Sequence, residues 1–436
     1  MAKAKKGKLT IEDALVPVEE QPYEIPMNWC WTRFEFVMDN YDSMRIPLST
    51  KERSSLDKIY DYYGASGVID KVDNYLFDDA KLLIGEDGAN LLSRSTPIAF
   101  IASGKYWVNN HAHVLDNKAV TTKEYVCYYI NSIDLAPYVT GSAQPKLTQD
   151  KMNNILVPLP PLAEQKRIVE QIENMFAKLD EATEKAQGVV EQFELHKESI
   201  LHQAFSGYLS EKWRIENGIS ADSWVQTSLG TYLNPMKTRK PEGETFRYID
   251  IDAIDNKKQV IREAKETPVS EAPSRASRAV NSGDVLFSMV RPYLKNIAYV
   301  TEDMSDCIVS TGFYVCSCKD GLYSKYLYEL LRSKDAIDYL MQFMKGDNSP
   351  SIRKDDLLDM PLRLPCIDEQ KEICQIVSSL LQKEEEAKEA AVKVIDQIDL
   401  MKKSILAKAF RGELGTNIAD EESAVELLKQ ILVENL

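Results

Sequence analysis

The sequence is short of the residues with which most enzymes work. Its seven cysteines, Cys30, Cys127, Cys307, Cys316, Cys318, Cys366 and Cys374, form no Cys-x-x-Cys pair and no regular framework. That pattern argues against a disulfide scaffold or a structural zinc site and fits reduced thiols in the cytoplasm. Only four histidines occur. His111 and His113 could ligate one metal ion, but His196 and His202 fall on a long helical stretch, so packing and hydrogen bonding is the favoured reading and no metal is expected. There is no glycine-rich phosphate loop and no GxSxG elbow. There is also no [DN]-P-P-[FYW] amino-methyltransferase box: Asn234-Pro-Met-Lys237 lacks the second proline and the aromatic residue. No apolar run is long enough to cross a bilayer. The start, MAKAKKGKLTIEDALVP, has lysines but no apolar core, so no secretory signal is expected. The chain is expected to bind no cofactor directly and to have no catalytic residues of its own.

Charge is unevenly supplied. The formal net charge of −15 speaks against a nucleic-acid binder at first sight. Residues 356–436 hold 17 acidic against 10 basic side chains, whereas residues 216–355 hold 20 against 19. A nearly neutral domain can still present a basic face.

What the chain has in quantity is itself. Aligned at an offset of 205, Gly141 to Leu209 matches Gly346 to Leu414 without a gap, with 25 of 69 positions identical. Chance gives roughly four. The shared positions include Gly141/Gly346, Pro145/Pro350, Leu159-Pro160/Leu364-Pro365 and Glu164-Gln165-Lys166/Glu369-Gln370-Lys371. An internal duplication follows. The weaker likeness of GKLT at Gly7 to the ends of both copies suggests that the chain begins with the tail of a scaffold unit.

Each copy contains a long helix. In the first, Ile168, Ile172, Met175, Leu179, Ala182, Ala186, Val189, Phe193 and Ile200 step by four and three, interrupted at His196. In the second, Ile373, Val377, Leu380, Ala387, Ala391, Val394, Ile398, Met401 and Ile405 do so, interrupted at Glu384, which is expected to loosen that end. Pro160 and Pro365 precede the helices, and Gly207 and Gly412 sit where C-caps belong. Such seams need a partner, and the other copy is nearest at hand. An antiparallel pair suits two equivalent units related by a two-fold, with alanines at its middle.

Between the copies lie two dissimilar inserts, both reading as mixed α/β. The first gives short strands around Asp87-Gly88, a strand–turn–strand with Asn109-Asn110 at its tip, and a helix in TKEYVCYYINSID. The second gives strands in FRYIDIDAID, DVLFSMVRPYLKNIAYV and STGFYVCSC, then one helix in SKYLYELLRSKDAIDYLMQFM. Candidate nucleic-acid contacts are Arg94, Lys105, Asn109, Asn110, His111 and His113 in the first insert. In the second they are Lys237, Arg239, Lys240, Arg275, Arg278, Arg291 and Lys295. Arginine, lysine and asparagine grip phosphates or fork onto base edges; singly each is an ordinary solvated charge. The expected layout is a scaffold tail over 1–21, a first reading domain over 22–158 and a central helical region over 159–215. A second reading domain over 216–363 and a distal helical region over 364–436 complete it, the latter ending in an amphipathic helix from about Asp420.

These residues resemble the specificity subunit of Type I restriction–modification systems. The resemblance covers nearly the whole chain and is carried by YYGASGVID from Tyr62, GKYWVNNHAHVL from Gly104 and GDVLFSMVRPYLK from Gly283. It rests most firmly on LPPLAEQKRIV from Leu159 with LPCIDEQKEIC from Leu364, and on the two SIL…AF tails. It implies an α+β chain with two target-recognition domains joined and separated by two long antiparallel coiled-coil helices. Each domain would read one half of an asymmetric duplex DNA site. Two methyltransferase subunits and two restriction–translocation subunits would be the partners, and would use S-adenosylmethionine, ATP and Mg2+. The rival reading is a coiled-coil adaptor that binds proteins and not DNA.

Overall fold

The computed structural model describes residues 10–141 and 143–434; Gly7 to Leu9, and with them most of the proposed tail match, lie outside the described residues. The chain divides into two units, residues 1–185 with 394–436, and residues 186–393. In each unit a short antiparallel strand pair closes the insert on itself. Cys30–Arg33 pairs with Leu156–Leu159 in the first, and Val225–Ser228 with Pro361–Leu364 in the second.

Inside this closure the two inserts share a strand plan that their sequences conceal. In the first unit Tyr60–Gly64 pairs antiparallel with Gly67–Val72 and parallel with Tyr106–Val108. In the second, Thr245–Ile249 pairs antiparallel with Lys265–Pro268 and parallel with Ile308–Ser310. The second sheet of each insert is centred on a wholly buried strand. Lys81–Gly85 lies between Ala99–Ala102 and Ala112–Asn117; Val285–Ser288 lies between Ile297–Tyr299 and Phe313–Cys316. Successive side chains of a strand point to opposite faces. Leu82 and Ile84 therefore enter one core and Leu83 another, while Val285 and Phe287 enter one and Leu286 another. Burial on both faces explains why these segments read as unbroken apolar runs.

Tyr106–Val108 and Ala112–Asn117 are the strands expected on either side of Asn109-Asn110, though they join different sheets. Two local expectations give way. Asp87-Gly88 leads into a one-turn helix, Asn90–Ser93, and not into a strand. The second insert's helix is two, Ser324–Arg332 and Lys334–Met341; Ser333, extended at ψ 148°, breaks the run and caps the second helix by accepting from the Ala336 amide at 3.3 Å.

The long helices are Leu162–Phe205 and Ile367–Ala409. Within each unit their segments run antiparallel. In the first, Asp180 meets Lys402 and Gln171 donates to the Leu414 carbonyl. In the second, Lys388 lies 4.0 Å above the Phe193 ring. The two residues that interrupt the seams meet each other: His196 Nδ1 is 3.1 Å from Glu384 Oε2. Glu384 therefore does not fray the helix. Ile168, Ile172, Ala186, Phe193, Ile373, Val377, Ala391 and Ile398 are buried. Met175, Leu179, Ala182, Ile200, Leu380 and Ile405 are half-buried. Val189, Ala387, Val394 and Met401 are exposed, contrary to expectation. In the second helix the row Val377, Ala391 and Ile398 keeps its seven-residue spacing and stays buried, while the alternate row Ala387, Val394 and Met401 turns to solvent. Both helices end on glycines in left-handed backbone, Gly207 at φ 86° and Gly412 at φ 73°. The terminal helix Ala424–Glu434 docks on its own unit, with Ala424 and Leu428 in the same core as Phe410. Arg167 holds its approach by two bonds to Glu421, at 2.8 and 2.7 Å.

Candidate nucleic-acid interface

The repeated Glu-Gln pair is an anchor. Glu369 is fully buried and accepts from Arg214 (2.6 Å), Ser210 (2.7 Å) and the Trp224 indole (3.1 Å). Glu164, equally buried, accepts from the Trp29 indole (2.8 Å), Asn417 (2.9 Å) and Thr416 (3.2 Å). Gln165 and Gln370 each donate to the carbonyl five residues back, Pro160 and Pro365, and reach into the insert at Thr121, Thr122 and Val120 or at Tyr323 and Gly321. Each pair thus locks the start of a long helix onto its insert. The duplication displayed these residues plainly; their tryptophan partners, Trp29 and Trp224, each stand directly before the first closing strand of their insert.

The repeated Gly-x-x-x-Pro loop lies against each insert in the same way. Pro145 and Pro350 accept from the amides of Gly88 (3.0 Å) and Arg291 (2.8 Å). Leu147 and Ile352 donate to the carbonyls of Glu86 and Met289.

In the second unit this loop borders a groove of about 550 Å³ lined by Asp250, Asp252, Asn256, Arg275, Arg291, Leu294, Asn296 and Ser349. The structure brings Arg275 and Arg291 together here. Arg275 is exposed and pairs with Asp250 at 3.0 Å; Arg291 is exposed and donates to the Asn348 carbonyl at 2.9 Å. Lys295 is half-buried beside Glu198, at 3.7 Å. Arg239 and Lys240 line a separate groove with Arg247, where Arg239 donates to the Asp306 carbonyl. Lys237 is exposed, and the half-buried Arg278 has its Nε enclosed without a hydrogen-bond partner. Asn256, Asn296 and Ser349 were missed by sequence reasoning; Ser349 could have been found as part of the repeated loop.

In the first unit three candidates serve the fold instead. Arg94 donates to the carbonyls of Ile130, Asn131 and Ile133 and so caps helix Lys123–Ser132, and burial pushes its guanidinium below the usual range. Asn109 is buried and accepts from the His111 amide. His113 is 1% exposed, with Nδ1 2.6 Å from Asp42 and Nε2 2.8 Å from the Leu147 carbonyl. Lys105, Asn110 and His111 are exposed; Lys105 sits over the Tyr75 ring and His111 faces Asp87 at 2.8 Å. Asp42, Glu86 and His113 bring metal-ligating atoms within 4.8 Å of one another. Arg45 and Lys146 already bond Glu86, at 2.6 and 3.0 Å, and Asp42 accepts from Val114, so chain cations neutralise this cluster. Burial works to raise Asp42 and Glu86, but His113 on the one, and Arg45 and Lys146 on the other, hold both carboxyls below their usual range.

Comparison with known proteins agrees with this construction. The family described as the Type I restriction modification DNA specificity domain matches residues 43–192 and again 236–394. The Type I restriction enzyme EcoDI specificity subunit of Escherichia coli is 21% identical over 87% of this chain and 89% of its own length. The EcoBI specificity subunit of the same species is 25% identical over 66% of each chain. Among solved structures, a chain from a type I R-M system studied for its complex assembly and conformational transition has a TM-score of 0.65 at 19% identity, covering 90% of this chain and 100% of that one. The HsdS subunit from Thermoanaerobacter tengcongensis has a TM-score of 0.56 at 19% identity, covering 91% and 100%. With the family matched twice, once on each insert and the helix that follows it, the chain belongs to the Type I restriction–modification DNA specificity family.

Proposed function

We propose that the chain is the non-catalytic specificity subunit of a Type I restriction–modification complex. Each unit reads one half of a bipartite, asymmetric duplex DNA site, and the paired helices set the unread gap. The observation that carries this reading is one scaffold used twice, with the same closing strands, strand plan and Glu-Gln anchor, holding inserts whose exposed side chains differ. Such a device suits a duplex whose grooves recur every ~34–36 Å. Arg275 and Arg291 in their groove are the first choice for phosphate or guanine contacts. Two methyltransferase and two restriction–translocation subunits dock on the helices and work in the cytoplasm. S-adenosylmethionine, ATP and Mg2+ act in those partners. Their positive charge would supplement the grip of an acidic chain.

Co-expression with candidate methyltransferase subunits, followed by genome-wide mapping of methyladenine, tests the reading. A bipartite motif with a fixed gap, absent without this chain, is expected. A complex that forms but methylates no defined sequence would instead favour a protein-binding adaptor.

A further inference from the structure

We propose that each unit carries an apolar tip that touches the bases of the half-site it reads, on a turn pinned at both ends. The tip is Tyr293 and Leu294 in the second unit and Leu92 in the first. This inference rests on the DNA-reading function proposed above and assigns it to side chains that charge alone would overlook.

The two turns are built alike although their sequences differ. Each opens on a residue with positive φ whose amide donates to the proline of the repeated loop: Gly88 at φ 106° to Pro145, and Arg291 at φ 49° to Pro350. Each then buries one residue, Leu91 or Pro292. Each next exposes apolar surface, Leu92 at 50%, or Tyr293 at 41% and Leu294 at 38%. Each closes on a basic residue in the left-handed region, Arg94 at φ 54° or Lys295 at φ 52°. That closing residue is tied down in turn. Arg94 donates to three carbonyls at the end of helix Lys123–Ser132, and Lys295 stands by Glu198.

Side chains other than glycine rarely adopt positive φ, and they hold it only where the surroundings over-determine it. The second unit holds two such positions in this one turn, Arg291 and Lys295. Rigid backbone under an exposed aromatic and a leucine is wasted on a solvated loop. It is what a probe of fixed geometry requires.

Nucleic acid is the occupant that the surroundings select. Leu294 lines the same groove as Arg275, Arg291, Asn256, Asn296 and Ser349, with Asp252 and the Arg275-paired Asp250 also on its wall; the two arginines and the neutral polar groups are suited to phosphates and base edges. An apolar tip among them can meet a thymine methyl group or enter a loosened base step.

The test uses the full chain in complex with its methyltransferase subunits, on duplexes of the methylome-derived site. Tyr293→Ala and Leu294→Ala are each expected to weaken binding by about 5- to 100-fold and to relax one or two adjacent positions of one half-site only. Leu92→Ala should do so in the other half. With the wild-type complex, replacing thymine by deoxyuridine across each half-site finds a methyl contact, and 2-aminopurine fluorescence finds an opened step. The variant should abolish whichever response the wild type gives. Variants that bind and methylate as wild type does, or a wild-type complex that answers to neither base analogue, overturn the inference and leave the proposed function standing. A wild-type chain that directs no sequence-specific methylation removes both. Should a variant fail to fold, the two analogue scans on the wild-type complex still decide.

Discussion

The buried carboxylates of the duplicated Glu-Gln pair should respond very differently to the same substitution. Glu369 and Arg214 form an ion pair whose side chains are 0% and 10% exposed. Replacing Glu369 by glutamine keeps its volume and an oxygen that can accept from Arg214, but removes the one carboxylate that pairs with this buried guanidinium among the described residues. Breaking one side of a buried pair costs about 3–5 kcal/mol. Glu164 occupies the equivalent place, yet its donors are an indole, an amide and a hydroxyl, and among the described residues no cation pairs with it. Glu164→Gln therefore forfeits hydrogen bonds without stranding a charge, at about 1–2 kcal/mol. Urea unfolding of the full chain, with hydrogen exchange to assign the loss to a unit, separates the two. At an m-value of about 2–3 kcal/mol/M, the midpoint of the second unit should fall by roughly 1–2 M, and that of the first by less than 1 M. The double substitution Glu369→Leu with Arg214→Met should recover most of the loss, because an apolar pair of similar volume leaves no charge behind. Equal losses at Glu164 and Glu369, or no recovery in the double variant, would show that the stranded charge does not set the cost.

Other perturbations address the remaining parts. Arg94→Ala should destabilise the first unit by about 1–3 kcal/mol, since three carbonyls at a helix end lose their donor, while leaving the methylated motif unchanged; a changed motif would return Arg94 to the DNA-contacting set. Acid should act with opposite sign on two pairs of carboxyls, one pair in each unit. Asp42 and Glu86 titrate below their unfolded range, so their contribution to the first unit is present above about pH 4.5 and is lost as pH falls through their folded values. Burial raises Asp284 and Glu329, the latter despite Arg332, so the second unit gains from these two groups as pH falls toward about 4.5. Hydrogen exchange in each unit between pH 7 and 3.5 checks both signs, and Glu86→Gln should flatten the slope of the first. One helical turn inserted after Ala186, matched by a turn in the second helix, adds about 5.4 Å and should lengthen the unread gap by one or two base pairs; methylome sequencing showing the original gap contradicts the ruler.

The parts of the fold that repeat were legible in the sequence, because a duplication displays its own constraints. The Glu-Gln pairs, the prolines ahead of the helices and Gly207 and Gly412 at their ends all occupy the places that their spacing suggests. The strand plan of the inserts was less legible. Tyr106–Val108 was legible as a strand, but its partner was not: Tyr60–Gly64 lies over forty residues away and parallel to it. The seam failed at Ala387, Val394 and Met401, one of its two seven-residue rows, whereas the other, Val377, Ala391 and Ile398, is buried as expected. Among the candidate contacts, residue type proved a poor guide to exposure. Arg94 and His113 carry the right chemistry for DNA and spend it on carbonyls and carboxylates of their own unit, whereas Tyr293 and Leu294 carry no charge and stand in the open.

If, as proposed, one scaffold presents two independent readers, the halves of the site can be exchanged one at a time. Replacing residues 222–345 with the corresponding insert of a relative, and mapping methyladenine in cells that express the hybrid with its methyltransferase subunits, tests it directly. One half of the bipartite motif should change while the other half and the gap persist. A motif changed in both halves, or changed in neither, contradicts it.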